Sequence, residues 1–500
     1  MPTYTSPLTE SEVRHLLRRA TFGAKASEIA TYKGKTAQFV VDDLLNGVTT
    51  VPLPKKPFWS DILPPDRNAT AAERAEFSTN NTTWRNELVE SWILQMAKNR
   101  MRDRLSLFWH DHFVTSYLEY TYSARAYRYL TTLRKNAIGN FKDFVHAIGI
   151  DPAMLLYLDG YINNGNAPNE NYARELLELF TMGHQDQFGV DNYTESDIQE
   201  IAKALSGWIV QIPQTWDVAF VGTRFDDGEK TFFGRTGEYG YDDVIDIIFE
   251  ERSPQIAHFI AEKLVVEFVY REPDAALVAE VAASLLSSNF NIGSALRVLF
   301  TSTTFFDPVY QGGRHKSPIE MCVGLVVEAD LPLEEQLGYD IRRAIPGIEQ
   351  TLLDPPNVAG WPGHRNWITT NTLSSRWTIT EAILRTHASD ADLLALGEAL
   401  TPPGTYYASL DLALAIAQHV FAVPMEWLEV AEIEEPFEGD LATLPLPDWF
   451  LNGPAYHRNL VKIFLNGLPW YEWNLSIGGA PDRLRAYLVR LTQFPEYQLS

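Results

Sequence analysis

Apolar spacing at helical period, punctuated by helix-start and helix-stop signals, constrains this 500-residue chain more than any other feature. Residues recurring at i, i+3, i+4 and i+7 bury one stripe of a helix and leave the rest wet. LTESEVRHLLRRATFG shows the grammar. Thr9 stands three residues before Glu12, the spacing of a reciprocal N-terminal cap; Leu16 and Leu17 are apolar and Gly23 suits the stop. TESDIQEIAKALSGW repeats it with Thr194 and Asp197. PNENYARELLELFTMG has Pro168 near its start and Gly183 at its stop. Further helices are expected over 35–47, 70–100, 101–116, 124–147, 242–305 and 317–328, and through 372–500 with breaks near 401–406 and 432–448. Residues 49–70 read as Pro-rich and irregular, and PPNVAGWPGHRNW as an ordered loop. Only 209–241, with Gly and Thr punctuation and alternating aromatics, reads as an extended excursion or short hairpin.

The expected fold is therefore mainly α: a large multi-helix body with a short extended/β excursion near 209–241. The expected regions are 1–208, carrying most of the polar motifs, the excursion 209–241, a second helical region 242–380 and a third 381–500, packed as one or two bodies. No internal repeat, low-complexity tract or heptad series appears. A hydrophobic content of 45%, with 12% aromatic, is enough for a substantial core.

A formal charge of −24 repels phosphate backbones, which argues against nucleic acid as a partner. The single cysteine, Cys322, excludes an intramolecular disulfide and a Cys-rich zinc site. The most apolar late stretch, LDLALAIAQHVFAV, is too short to span a bilayer and contains Asp411 and His419. The start, MPTYTSPLTESEV, lacks the basic and apolar regions of a secretory signal. The expectation is a soluble, cytoplasmic protein, or a periplasmic or surface-associated one if a signal was removed.

Candidate chemistry begins with FWHDHF at 108–113. Two residues along a helix turn through about 200°, so His110 and His112 point in nearly opposite directions there. On a strand they would share a face. Leu105, Phe108, Trp109 and His112 follow the helical stripe, which puts His112 on the apolar face and His110 toward another surface. Either histidine reads as a hydrogen-bonded core residue or as a metal or acid–base ligand.

In NENYARELLELF the buried stripe is Ala173, Leu176, Leu177 and Phe180, with Glu175 pointing away from it. Glu170, Arg174 and Glu178 form a ladder at one-turn spacing. Such a ladder is either a surface ion-pair row or a polar wall in which Arg174 orders Glu170. Asp159, in the Gly- and Asn-rich loop LLYLDGYINNGN, reads as turn chemistry or as a loop-borne functional side chain. Carboxylates from one helix and imidazoles from another would suit zinc, iron or manganese. No Glu-x-x-His pair is present, since Thr181 follows Glu178 by three; His184 follows the helix and could reach back. His15, Arg18 and Arg19 share a face suited to an anion or, preferably, to ion pairs with acids elsewhere. No G-x-S-x-G elbow, P-loop, H-E-x-x-H or G-x-G-x-x-G fingerprint occurs, and GRTGEYG lacks the strand–helix frame of a phosphate loop.

The words HLLRRATFG (15–23), LFWHDHFVTS (107–116), DPAMLLYLDG (151–160), NENYARELLELFTMG (169–183), YTESDIQEIAKALSGW (193–208) and GWP (360–362) resemble, in order, those of the bacterial "domain of unknown function 1800" family. With ELFTMG the chain looks most like the forms from Bacteroidetes-type bacteria. The resemblance implies no assigned activity. It implies company with a second family resembling sulfatases and alkaline phosphatases, hence a protein partner of that class. Where relatives often carry His-Asp before Gly-x-Lys, this chain has FDDGEK, with Phe225 in place of the histidine and Asp226 retained.

Two functional expectations follow. One is a metal-dependent enzyme, hydrolytic or oxidative, acting on a small or peptide-like substrate. His110, His112, Glu170 and Arg174 would be its catalytic residues, and His110, His112, Asp159 and Glu170 would hold a divalent zinc, iron or manganese, with 209–241 covering the opening. The other is a helical scaffold that assists assembly or export of a partner, its polar words forming a structural network.

Overall fold

Helices form where the start signals stand. The backbone amide of Glu12 donates to Thr9 Oγ1 at 3.3 Å and the Thr9 amide donates back to Glu12 Oε2 at 2.7 Å. The same reciprocal cap closes at Thr70/Glu73 and at Thr194/Asp197. Each satisfies donors that a helix start otherwise leaves open. The computed structural model describes residues 2–211, 215–401, 408–428, 446, 447, 450 and 452–500. Helix makes up 62% of the structure and strand 5%, so the fold is mainly α. The expected breaks at 401–406 and 432–448 lie almost wholly outside the described residues. No helix among the described residues is long and apolar enough to cross a membrane.

Several boundaries differ from the sequence reading. The helix expected over 35–47 is Ala37–Thr50, preceded by a separate helix Ala26–Tyr32. The helix expected to reach 116 stops at His112, because Ser116 caps a new turn, Tyr117–Tyr120. In ELLELFTMG the helix Asn171–Glu175 continues as a π-helix, Leu176–Thr181, a widened turn that recurs at functional sites. The excursion is two antiparallel hairpins, one pairing Trp208–Val210 with Val218–Phe220 and the other Lys230–Phe232 with Arg235–Gly237. Residues 212–214 of the first loop lie outside the described residues. The second hairpin is tied to the helix Glu195–Ala204: the Phe233 amide donates to Asp197 Oδ1 at 2.9 Å and the Thr231 amide to Glu200 Oε2 at 3.2 Å.

The chain divides into two units, each assembled from separated segments. The first comprises Met1–Thr3, Val41–Phe305 and Thr351–Pro362. Its centre is the helix Met101–His112, following the long helix Ala71–Asn99 after Arg100, whose φ is 54°. Asp103 on this helix is fully buried and accepts from Arg134 Nε at 2.8 Å and Asn99 Nδ2 at 2.8 Å. Trp109, Phe113, Phe141, Phe144 and Phe180 pack around its end as a continuous aromatic cluster.

The second unit comprises Tyr4–Val40, Phe306–Gln350 and Gly363–Ser500. Every residue of its helix Pro318–Glu328 is buried. Arg18, on the helix Glu10–Ala20, donates from Nε to Glu328 Oε1 at 2.6 Å and from its other nitrogens to the carbonyls of His419 and Phe421. Arg19 donates to the Tyr310 carbonyl at 2.7 Å. The RHLLRR stretch, whose arginines were expected to pair with acids elsewhere, thus gives Arg18 a carboxylate more than 300 residues away and Arg19 a backbone carbonyl.

Candidate active site

The FWHDHF helix is buried at every position from Met101 to His112 except Asp111. The residues on either side of that aspartate turn inward in opposite directions, as the helical geometry requires.

His110 is fully buried. A backbone N–H can only donate, so the Leu353 amide at 3.2 Å fixes His110 Nε2 as acceptor. Nδ1 then carries the proton and donates to Tyr129 Oη at 3.0 Å, and the Tyr129 hydroxyl in turn donates a hydrogen bond to the Phe113 carbonyl oxygen at 2.6 Å. Both ring nitrogens are engaged, and burial pushes the pKa down to about 3. His112 has the opposite tautomer: Nε2–H donates to the Phe180 carbonyl at 3.1 Å, at the end of the π-helix. Its Nδ1 is buried without a hydrogen-bond partner, and burial holds it neutral.

Asp111 does a similar positioning task on its outward side. The Trp361 amide donates to Asp111 Oδ1 at 2.8 Å. Gly360, before it, has φ of +87°, and a Cβ there would lie 2.8 Å from the Asp111 carbonyl oxygen, so only glycine fits. Leu353 is held at a positive φ of 68° by donating to His110 and accepting from the Tyr117 amide at 2.9 Å. Ser116 Oγ reaches Asp354. FWHDHF and its sequel therefore clamp the 351–362 segment, which delivers the GWP word to Asp111.

Lys263 lies on the helix Ser253–Phe268, with Phe259 and Glu267 one turn to either side on the same face. Its Nζ sits over the Phe259 ring, 4.9 Å from the centroid. Gly183, at φ +75° at the stop of ELFTMG, lets that ring approach within 3.0 Å of where a Cβ would be. Arg104 pairs with Glu267 and joins this helix to the FWHDHF helix. Asp111 and Lys263 feel each other's charge but do not close into an ion pair among the described residues. Both are only partly accessible. Burial pushes the Asp111 carboxyl up to about 7 and the Lys263 amine down to about 8. Protein strips part of the water from both groups, which disfavours the charged form of each. Such a pair can donate and accept protons near neutral pH.

The other sequence candidates are placed elsewhere. Glu170 meets Arg174 at 3.1 Å, and Arg174 reaches across to Glu195 at 2.6 Å, making an ion-pair row on a partly exposed face. Asp159 occupies a left-handed turn at φ 60° and is 3.5 Å from Asn171 Nδ2. His184 lies 3.6 Å from Asp191. His110, His112, Asp159 and Glu170 are thus not brought to one point. Among the described residues no group of three or more His, Cys, Asp or Glu side chains is arranged to hold a metal ion. Phe225 packs under the buried Lys230, whose Nζ is 4.5 Å from the ring centroid.

Sequence reasoning passed over Asp111 and Lys263. One signal was present: a carboxylate in the last turn of a helix opposes the macrodipole, which favours cations there. Lys263 had no local signal, since its importance depends on residues far away in sequence.

The words that carry the family resemblance meet here. FWHDHF supplies Asp111, GWP supplies the amide that holds it, and ELFTMG seats Phe259 beneath Lys263. The family model described as "Protein of unknown function (DUF1800)" matches residues 15–445, and the chain belongs to that family. No curated protein and no solved structure matches the chain.

Proposed function

We propose that this DUF1800 protein is an enzyme that works by proton transfer, with Asp111 as its acid–base carboxyl and Lys263 as an amine facing the same small or peptide-like substrate. The observation that carries the reading is a carboxyl held by the Trp361 amide and an amine held over the Phe259 ring, which influence each other electrostatically but do not close into an ion pair among the described residues. We favour this over a metal centre because both nitrogens of His110 are already engaged and Glu170 belongs to the Arg174 row.

A panel of esters, amides and carbonyl compounds, assayed across pH, tests the reading. A substrate that is turned over should give a bell-shaped profile. Asp111→Asn, which keeps an acceptor for the Trp361 amide, should lower its turnover by about 10²–10⁴. A folded Asp111→Asn variant with undiminished turnover would contradict the reading.

A second reading has its own observation. His110, Asp111 and His112 each hold a backbone group of a distant segment, as expected of a scaffold whose polar words fix packing. Under it, Asp111→Asn changes stability by no more than about 1 kcal/mol and nothing else.

A further inference from the structure

We infer that the cleft beside Arg14 in the second unit binds a small monocarboxylate with an apolar body, whose carboxylate is taken by the Arg14 guanidinium and the Gln311 amide. The cleft involves neither Asp111 nor Lys263.

Two cavities, of about 460 and about 590 Å³, adjoin Arg14 on the helix Glu10–Ala20. Glu10, Arg14 and Gln418 line both. Either volume suits a small molecule. The smaller cavity has two kinds of wall. Phe306, Phe421, Val423 and Met425 are apolar, whereas the first turns of the helix and Gln311 are polar.

Hydrogen bonding on the polar wall is one-sided. The acceptors are committed. Glu12 Oε2 accepts from the Thr9 amide at 2.7 Å and the Thr9 hydroxyl at 2.8 Å, and Glu12 Oε1 accepts from the Tyr4 hydroxyl. Glu10 Oε2 accepts from Arg14 Nη2 at 2.9 Å and Glu10 Oε1 from Lys33 Nζ at 2.8 Å. The donors are not used up. Arg14 Nε is buried with no acceptor among the described residues. Gln311 is only 7% exposed; its Oε1 accepts from Ser11 Oγ at 3.1 Å, and its Nε2 has no acceptor among the described residues. What the wall lacks is acceptor oxygens, and an occupant must bring them.

Charge narrows the class. Glu10 is shared between Arg14 and Lys33, which leaves one positive charge over these groups. Arg18 is matched by Glu328, and Glu12 caps the positive end of its helix. A single carboxylate fits that surplus, whereas a doubly charged phosphate would face Glu10 and Glu12 together. Two coplanar oxygens also match the edge of a guanidinium. Burial pushes the Arg14 pKa down, so a bound counter-ion replaces solvation that the guanidinium has lost. The apolar wall takes the body of the acid.

Isothermal titration calorimetry of the full chain with phenylbutanoate, with its uncharged amide phenylbutanamide and with inorganic phosphate tests the site. The carboxylate should bind saturably and at least about tenfold more tightly than the amide. Two substitutions should move its affinity in opposite directions. Arg14→Gln should weaken phenylbutanoate binding at least about tenfold. Glu10→Gln removes the carboxylate that competes for Arg14 and should tighten binding several-fold. A Glu10–Arg14 pair that only braces the helix predicts no such tightening. Thermal denaturation checks that each variant is folded, and the comparison of acid with amide needs no variant. Absence of saturable carboxylate binding, equal affinity for acid and amide, or unchanged or weaker binding in folded Glu10→Gln overturns the inference. Phosphate binding more tightly than phenylbutanoate overturns the assigned ligand class.

Discussion

Replacing His110 with glutamine isolates the energetics of the clamp. Glutamine can accept from the Leu353 amide and donate to Tyr129, but it does not titrate. In the native chain His110 is buried and neutral, with its pKa pushed down to about 3, whereas an unfolded histidine titrates at about 6.5. A depressed histidine favours folding above its unfolded pKa, and that contribution fades as pH falls toward the folded value. Between about pH 7 and pH 5 the unfolded chain takes up a proton that folded His110 refuses, which amounts to about 2 kcal/mol. Half-buried Asp111 and buried Asp151, raised to about 7 and about 6, work in the opposite direction over the same window. Wild type alone is therefore a poor readout, and the difference between the two proteins removes these shared contributions. Urea unfolding at both pH values, together with hydrogen exchange of the peptide spanning 351–362, supplies the measurement. Wild type should lose about 2 kcal/mol more than His110→Gln on acidification, and the Leu353 amide should lose protection in step. Equal acid sensitivity would refute the assignment of His110 as a buried neutral anchor.

Other perturbations follow from the same contacts. Gly360→Ala places a methyl group against Asp111 at a positive φ and should cost about 1–3 kcal/mol, with faster exchange of the Trp361 amide. Arg18→Met leaves Glu328, 1% exposed at its side chain, without its guanidinium; thermal unfolding should register about 3–5 kcal/mol of destabilisation, part of it recovered by a further Glu328→Leu change. Thr194→Ala removes the cap of the helix that carries the second hairpin and should cost about 1 kcal/mol in denaturant titrations.

What the sequence made legible was local. The caps at Thr9 and Thr194 were readable because both partners lie three residues apart. The opposed directions of His110 and His112 followed from helix geometry alone, and the apolar stripe through Leu176, Leu177 and Phe180 is buried as read. The π-helix was not readable, because it arises where the end of that stripe packs against the aromatic cluster and His112 takes the Phe180 carbonyl. Glu170 and Arg174 drew attention through their spacing, yet Arg174 is completed by Glu195 on another helix. Asp111 was visible but was read only as the residue between two histidines. Its role depends on Trp361, 250 positions later, and on a lysine from a third segment, Lys263. Side chains that matter through such long-range contacts leave little trace in a periodicity.

The titration of the Lys263 amine measures the coupling between Asp111 and Lys263 most directly. Following the pH dependence of acylation at that residue in wild type and in Asp111→Asn gives both pKa values. The wild-type amine should titrate near 8, and the variant lower still, because the neighbouring carboxylate charge that holds the proton on Lys263 is gone. An amine that titrates like an ordinary lysine, or one indifferent to the loss of Asp111, would contradict the account.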